Sequence, residues 1–87
     1  MTFNDVAISR ENKFSIGIEV ESGKYYLSIP VANNLVDYEE YYVLTEEAFE
    51  AYKADMSLAL DFVQKCRERM NDDLLLQKPG KDRGRPL

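Results

Sequence analysis

Phe14, Ile16, Ile18 and Val20 alternate with Ser15, Gly17, Glu19 and Glu21, the period of a strand with one apolar face. After Ser22-Gly23 the alternation resumes with Tyr25, Leu27, Ile29 and Val31. This predicts an antiparallel hairpin in which Gly23 supplies the positive φ of a tight turn. Pro30 has no N–H to give to a ladder, so the end of the second strand is expected at an edge or a bulge. Asn33-Asn34 marks the next turn. A third strand then runs from Val36 to Leu44, with Val36, Tyr38, Tyr42 and Leu44 on one face and Asp37, Glu39, Tyr41 and Val43 on the other. Glu40 falls among the apolar positions, which calls for a bulge or a carboxylate at the sheet margin. Val6 and Ile8 predict a short first strand, turning through Arg10-Glu11-Asn12-Lys13.

From Thr45 onward the period changes. Thr45 stands where an N-cap belongs, and Glu46 and Glu47 occupy a first turn, where carboxylates meet the positive end of the helix dipole. Phe49, Tyr52, Met56, Ala59, Val63, Cys66 and Met70 then recur at spacings of three and four, flanked by Leu60 and Phe62. Asp55 and Ser57 are weak helix formers and mark the place where the element would divide. The continuous stripe favours one long helix, kinked at most. Leu74-Leu75-Leu76-Gln77 reads as a short edge strand or a packed tether, ended by Pro79-Gly80. The predicted fold is α+β: an antiparallel sheet of three to five strands with one long C-terminal helix packed on one face, spanning residues 1–77. Residues 78–87 form a basic, Gly/Pro-containing tail with too little apolar surface to order itself. The expected role of this flexible tail is docking, on the protein's own acidic face or on a partner.

Composition narrows what such a domain does. At 87 residues there is room for one core, and 45% hydrophobic with 31% charged residues fits neither a disordered chain nor a membrane protein. With no histidine and one cysteine, the usual zinc sites, His-dependent nucleophile systems and an internal disulfide are excluded. No cofactor and no metal are expected, and the chain is not expected to be an enzyme. Cys66 falls on the helical stripe, so it reads as a buried, inert thiol. The opening residues show no basic segment followed by an apolar one, which makes the cytoplasm the expected compartment.

The net charge of −5 divides unevenly: residues 1–77 carry fifteen acids against seven bases, net −8, and residues 78–87 carry four bases against Asp82, net +3. Nucleic acid is therefore not an expected partner, since its phosphates would meet like charge. A basic protein is. One helix layer covers one sheet face, and the alternation assigns Ser15, Gly17, Glu19, Lys24, Tyr26, Ser28, Asp37, Glu39 and Tyr41 to the other, exposed face. Tyr gives large contact area with few torsions to freeze. Tyr26, Asp37, Glu39, Glu40, Tyr41, Glu46 and Glu47 are accordingly the candidate partner-binding residues. The plainer reading of the same residues is a cross-strand Tyr26–Tyr41 pair and a solvated acidic surface. Paired carboxylates also serve catalysis, but one helix layer offers little cleft for it, and the segment lacks the ligand spacing and central Gly of a calcium loop.

Three stretches carry a resemblance: Lys24-Tyr25-Tyr26-Leu27-Ser28-Ile29-Pro30-Val31, then Val36-Asp37-Tyr38-Glu39-Glu40-Tyr41-Tyr42, then Cys66-Arg67 through Asp72-Asp73-Leu74-Leu75 to Pro79-Gly80 and Arg83-Gly84. Together they resemble small bacterial immunity proteins of polymorphic toxin loci. That resemblance implies a cytoplasmic inhibitor of one cognate toxin domain, often a nuclease with a basic active site. The alternative expectation is a small non-catalytic adaptor or structural domain that homodimerises through its exposed sheet face.

Overall fold

The computed structural model describes all residues, 1–87. Four strands form an antiparallel meander: β1 (Phe3–Ser9), β2 (Phe14–Glu19), β3 (Tyr25–Ala32) and β4 (Asp37–Leu44), in spatial order β1-β2-β3-β4. Two helices, α1 (Glu46–Ala54) and α2 (Leu60–Arg67), lie on one face, and a short β5 (Arg85–Pro86) returns to pair with β3. The fold class is thus α+β with a five-stranded antiparallel sheet. The core is the apolar alternation of β2, β3 and β4, Phe14, Ile16, Leu27, Ile29, Val31, Tyr42 and Leu44, closed by Phe49, Ala59, Val63 and Cys66 from the helical layer. No helix is long and apolar enough to cross a membrane.

The expected single long helix is instead two. Asp55 leaves helical geometry at φ −148° and ψ 101°, and its carboxylate accepts from the Ser57 N–H at 3.0 Å and the Ser57 hydroxyl at 2.7 Å. The pair that local propensity marks as weak is a stop and a new N-cap: a 3-10 turn, Met56–Ala59, starts there and runs into α2. The apolar stripe persists across the break because its inward residues belong to two elements facing the same core. It fails at its end, where Arg69 adopts φ 60° and the chain turns away, leaving Met70 exposed.

Turn chemistry follows the residues. Gly23 takes φ 73°, and its N–H donates to the Glu19 carbonyl to close the β2–β3 turn. That turn starts one residue before the alternation ends, so Val20, an expected inward residue, is exposed. Val6 is the extra residue of a bulge between Asp5 and Ala7 on β1, which turns both Val6 and Ile8 outward. Pro30 stands where β2 has stopped pairing, after Ser15↔Ser28, and before β5 begins, at Val31↔Pro86; its missing donor therefore falls in a gap of the ladder. Leu75 bridges to Tyr42 on the outer edge of β4, with the Leu76 N–H donating to the Tyr41 carbonyl, the packed tether that the leucine run predicts.

Two further expectations resolve. The register of β3 on β4 is continuous through Ile29↔Glu40, so Glu40 is no bulge; it is the other alternative, a carboxylate on the marginal strand, and it points to the core side. Residues 78–87, read as a flexible tail that docks on the body's own acidic face or on a partner, come back onto the domain, where Arg83 pairs with Glu40 and Asp72. Gly84 is buried, Arg83 is mostly covered, and β5 and the Leu87 N–H bond to β3.

Candidate functional site

The sheet face opposite the helices was expected to be bare. Its middle is not: Ser15, Gly17, Glu19, Tyr26 and Ser28 are all buried. The cause is Gly17. Asp5, Gly17 and Tyr26 lie in one row across β1, β2 and β3. With no side chain on the middle strand, the Tyr26 ring lies flat across it, and its hydroxyl donates to Asp5 Oδ1 at 2.6 Å. A Cβ on Gly17 would stand 2.5 Å from the Tyr26 hydroxyl oxygen and collide with the Asn4 carbonyl. Burial, then the bond to Asp5, push the Tyr26 phenol far above its usual range, so it is a fixed neutral donor.

Phe3, from the start of β1, caps this layer. Its ring stacks on Tyr41 with centroids 3.5 Å apart and planes 8° from parallel, and Tyr26 stands edge-on to both, at 5.3 Å and 5.0 Å. Phe3 and Tyr41 remain partly exposed, as does Glu39, whose Oε1 accepts from the Ser28 hydroxyl at 3.1 Å. Burial holds the Glu39 carboxyl above its usual range, opposed by that hydrogen bond and reinforced by the charge of Asp5. Asp37, exposed, continues the same face of β4. None of Asp5, Asp37 or Glu39 has a basic partner in the chain, where the ion pairs are Met1 with Glu21, Lys53 with Glu50, and Arg83 with Glu40 and Asp72. The result is an aromatic stack rimmed by carboxylates that form no ion pair within the chain.

The seven residues singled out from the sequence therefore separate. Asp37, Glu39 and Tyr41 share this patch, and Tyr26 is its buried floor with no exposed surface to offer. Glu40 faces the opposite way and is 6% exposed; its oxygens take the Arg83 guanidinium at 2.8 Å and 3.0 Å and the Tyr42 hydroxyl at 2.9 Å. Glu46 and Glu47 are exposed in the first turn of α1, in the helix layer, below the Thr45 cap that accepts from the Ala48 N–H. Sequence reasoning missed Phe3 and Asp5. The available signal was Gly17, a glycine inside an otherwise strong strand, which marks a close approach by another group.

Beside the patch, β4 and the segment 77–82 enclose a cleft of about 330 Å³ lined by Tyr38, Glu39 and Tyr41 on one wall and by Lys78 and Lys81 on the other. Cys66 lies in the core as the helical stripe predicts; burial raises its thiol to about 11, and Asn71 donates to its sulfur at 3.6 Å. Comparison with protein-family models, with curated proteins and with solved structures gives no match for this chain.

Proposed function

We propose that this chain is a binding protein of the immunity type, an inhibitor that neutralises a basic partner protein through the face formed by Phe3, Asp5, Asp37, Glu39 and Tyr41. The observation that carries this reading is the partly exposed Phe3–Tyr41 stack rimmed by carboxylates that form no ion pair within the chain. An arginine or lysine of a partner satisfies both parts at once, its charge against the carboxylates and its cationic group or stem against the rings. Cation–aromatic contacts contribute about 0.5–1 kcal/mol when exposed and about 2 when desolvated. The Tyr26–Asp5 bond fixes the stack before a partner arrives, which lowers the ordering cost of binding. The toxin identity of the partner rests on the resemblance in sequence; its basic character rests on the charge of the patch.

The native chain, immobilised as bait for extracts of the producing strain, tests this reading beside two equal charge changes. Asp37→Lys with Glu39→Lys alters the patch, whereas Asp61→Lys with Glu68→Lys alters exposed positions at α2, on the other side of the sheet. The expected result is a basic protein held by the native chain and by the α2 variant, lost by the patch variant and by Tyr41→Ala, and disarmed when co-expressed with the native chain. Equal capture by patch and α2 variants, each natively folded by circular dichroism, overturns the assignment.

A further inference from the structure

The C-terminal segment occupies a socket with the features of a peptide site. β3 extends four residues past its last pair with β2, at Ser15↔Ser28, and so bares a stretch of strand edge. Residues 85–87 fill it: Val31 pairs with Pro86, Ala32 pairs with Arg85, and the Leu87 N–H donates to the Pro30 carbonyl at 3.1 Å. Ahead of them Gly84 is read from every side. Its N–H donates to the Tyr38 hydroxyl oxygen at 2.6 Å, and its carbonyl accepts from the Arg69 guanidinium at 3.0 Å. A Cβ there would stand 2.6 Å from the Ala32 carbonyl group, so glycine alone fits. Arg83 enters a carboxylate fork, giving two bonds to Glu40 at 2.8 Å and 3.0 Å and two to Asp72 at 2.7 Å and 2.8 Å. None of these contacts depends on the segment belonging to the same chain. Its link to the domain is slight: residues 77–81 are exposed and make none of the chain's hydrogen bonds, between the Leu76 N–H on Tyr41 and the Asp82 carbonyl on Asn33.

The geometry points to a recognition site for an extended arginine–glycine segment of a basic partner protein, held at rest by the chain's own residues 83–87 as a displaceable stand-in. This rests on the proposed function for the partner's basic character. Charge argues for that occupant over a second copy, because two bodies of net −8 repel, whereas a basic partner is drawn to one. The tail, net +3, presents in cis the chemistry that the body attracts in trans. Displacement also has a consequence for the neighbouring patch: segment 77–82 is one wall of the cleft beside Glu39 and Tyr41, so releasing the tail widens access to them. The short covalent tether gives the resident segment a high effective concentration, so an incoming segment competes only when other contacts, such as those of the patch, hold the partner nearby.

The probe is a fluorescent hexapeptide of the chain's own residues 82–87, Asp-Arg-Gly-Arg-Pro-Leu, titrated by anisotropy against two full-length proteins. Arg83→Gln frees the tail and leaves the socket intact. That protein is expected to bind the peptide saturably and to melt at a higher temperature with it, while the native chain binds about tenfold or more weakly because its tail competes. Peptides in which glutamine replaces the arginine of position 83, or alanine the glycine of position 84, are expected to lose about tenfold or more. Should Arg83→Gln fail to fold, Gly84→Ala releases the tail by collision with Ala32 and takes its place. Absence of saturable binding to a natively folded released-tail protein overturns the inference, as does equal binding of all three peptides. A native chain that is dimeric at micromolar concentration, and monomeric once Arg83 is replaced, assigns the socket to a second copy and likewise overturns it. Failure of the peptide leaves the Asp37 and Glu39 capture result standing, so the two readings fall separately.

Discussion

Glu19 sits at the first position of the β2–β3 turn and is 1% exposed, yet it has no cationic partner. Its carboxylate is held by N–H groups: Ser22 at 2.8 Å, Thr2 at 2.9 Å and Glu21 at 3.0 Å, so that one side chain fixes the turn and the start of β1 together. Hydrogen bonding from the Ser22 side chain, then from the Thr2 N–H, lowers its pKa from 4.5 to about 2, against a smaller opposing effect of burial. The folded value is depressed, so its contribution to stability is complete above the unfolded value of 4.5 and is lost as pH falls from there to about 2. Glu19→Gln should therefore flatten the acid limb of Tm against pH in that window, measured by circular dichroism melts. An unchanged limb would mean that the carboxylate is not what holds the turn. Alternation alone assigns Glu19 and Tyr26 to the face away from the helices, and that assignment is correct; burial on that face is not legible from it. Periodicity says which way a side chain points and nothing about what arrives to cover it. The covering here depends on a missing side chain at Gly17 and on Phe3, fourteen residues earlier in the chain, so no local window contains both.

Strands, turns and the inward helical residues were legible because each is a short-range pattern, whereas the helix break required weighing two local signals of opposite sense. The stripe from Phe49 to Cys66 argues for continuity, and Asp55 with Ser57 argues against it. Capping wins because the Asp55 side chain satisfies the Ser57 N–H and hydroxyl at once, whereas continuing the helix leaves a poor helix former in its interior. Asp55→Ala distinguishes these cases by sign. A continuous helix would gain from the better helix former, but a capped break should lose about 1 kcal/mol, or roughly 4–8 °C in the melting temperature of a domain this size. A melting temperature at or above that of the native chain would contradict the capping account. The bulge at Val6 illustrates the same limit among the strands. β1 is an edge strand, and an extra residue in it spoils a regular template for another chain while turning Val6 and Ile8 outward. The sequence contains that residue without marking it as surplus.

At the scale of the whole molecule, the acidic body and basic tail are one electrostatic object. Arg83 reaches Glu40 across 43 residues, a pairing that leaves no trace in any local pattern, although the count of four bases in the last ten residues signals that the tail has somewhere to go. This pairing alters how the proposed interface is tested. Reversing Glu40 would break the Arg83 fork and disturb the socket, so its effect on a partner would be uninterpretable. Asp37 makes no side-chain bond within the chain, and Glu39 only accepts from the Ser28 hydroxyl. Long-range attraction acts mainly on the association rate and is screened over about 8 Å at physiological salt and about 3 Å at 1 M, while a packed contact acts on dissociation. With the captured partner in hand, Asp37→Lys with Glu39→Lys should slow association at low salt, and the deficit should shrink as salt rises. Tyr41→Ala should accelerate dissociation at every salt concentration, because it removes a ring stacked against Phe3 rather than a charge. Surface-plasmon kinetics on variants first shown to melt like the native chain separate the two effects. If Asp61→Lys with Glu68→Lys slows association just as much and Tyr41→Ala leaves dissociation unchanged, the attraction belongs to net charge alone and the Phe3–Tyr41 face is not the interface.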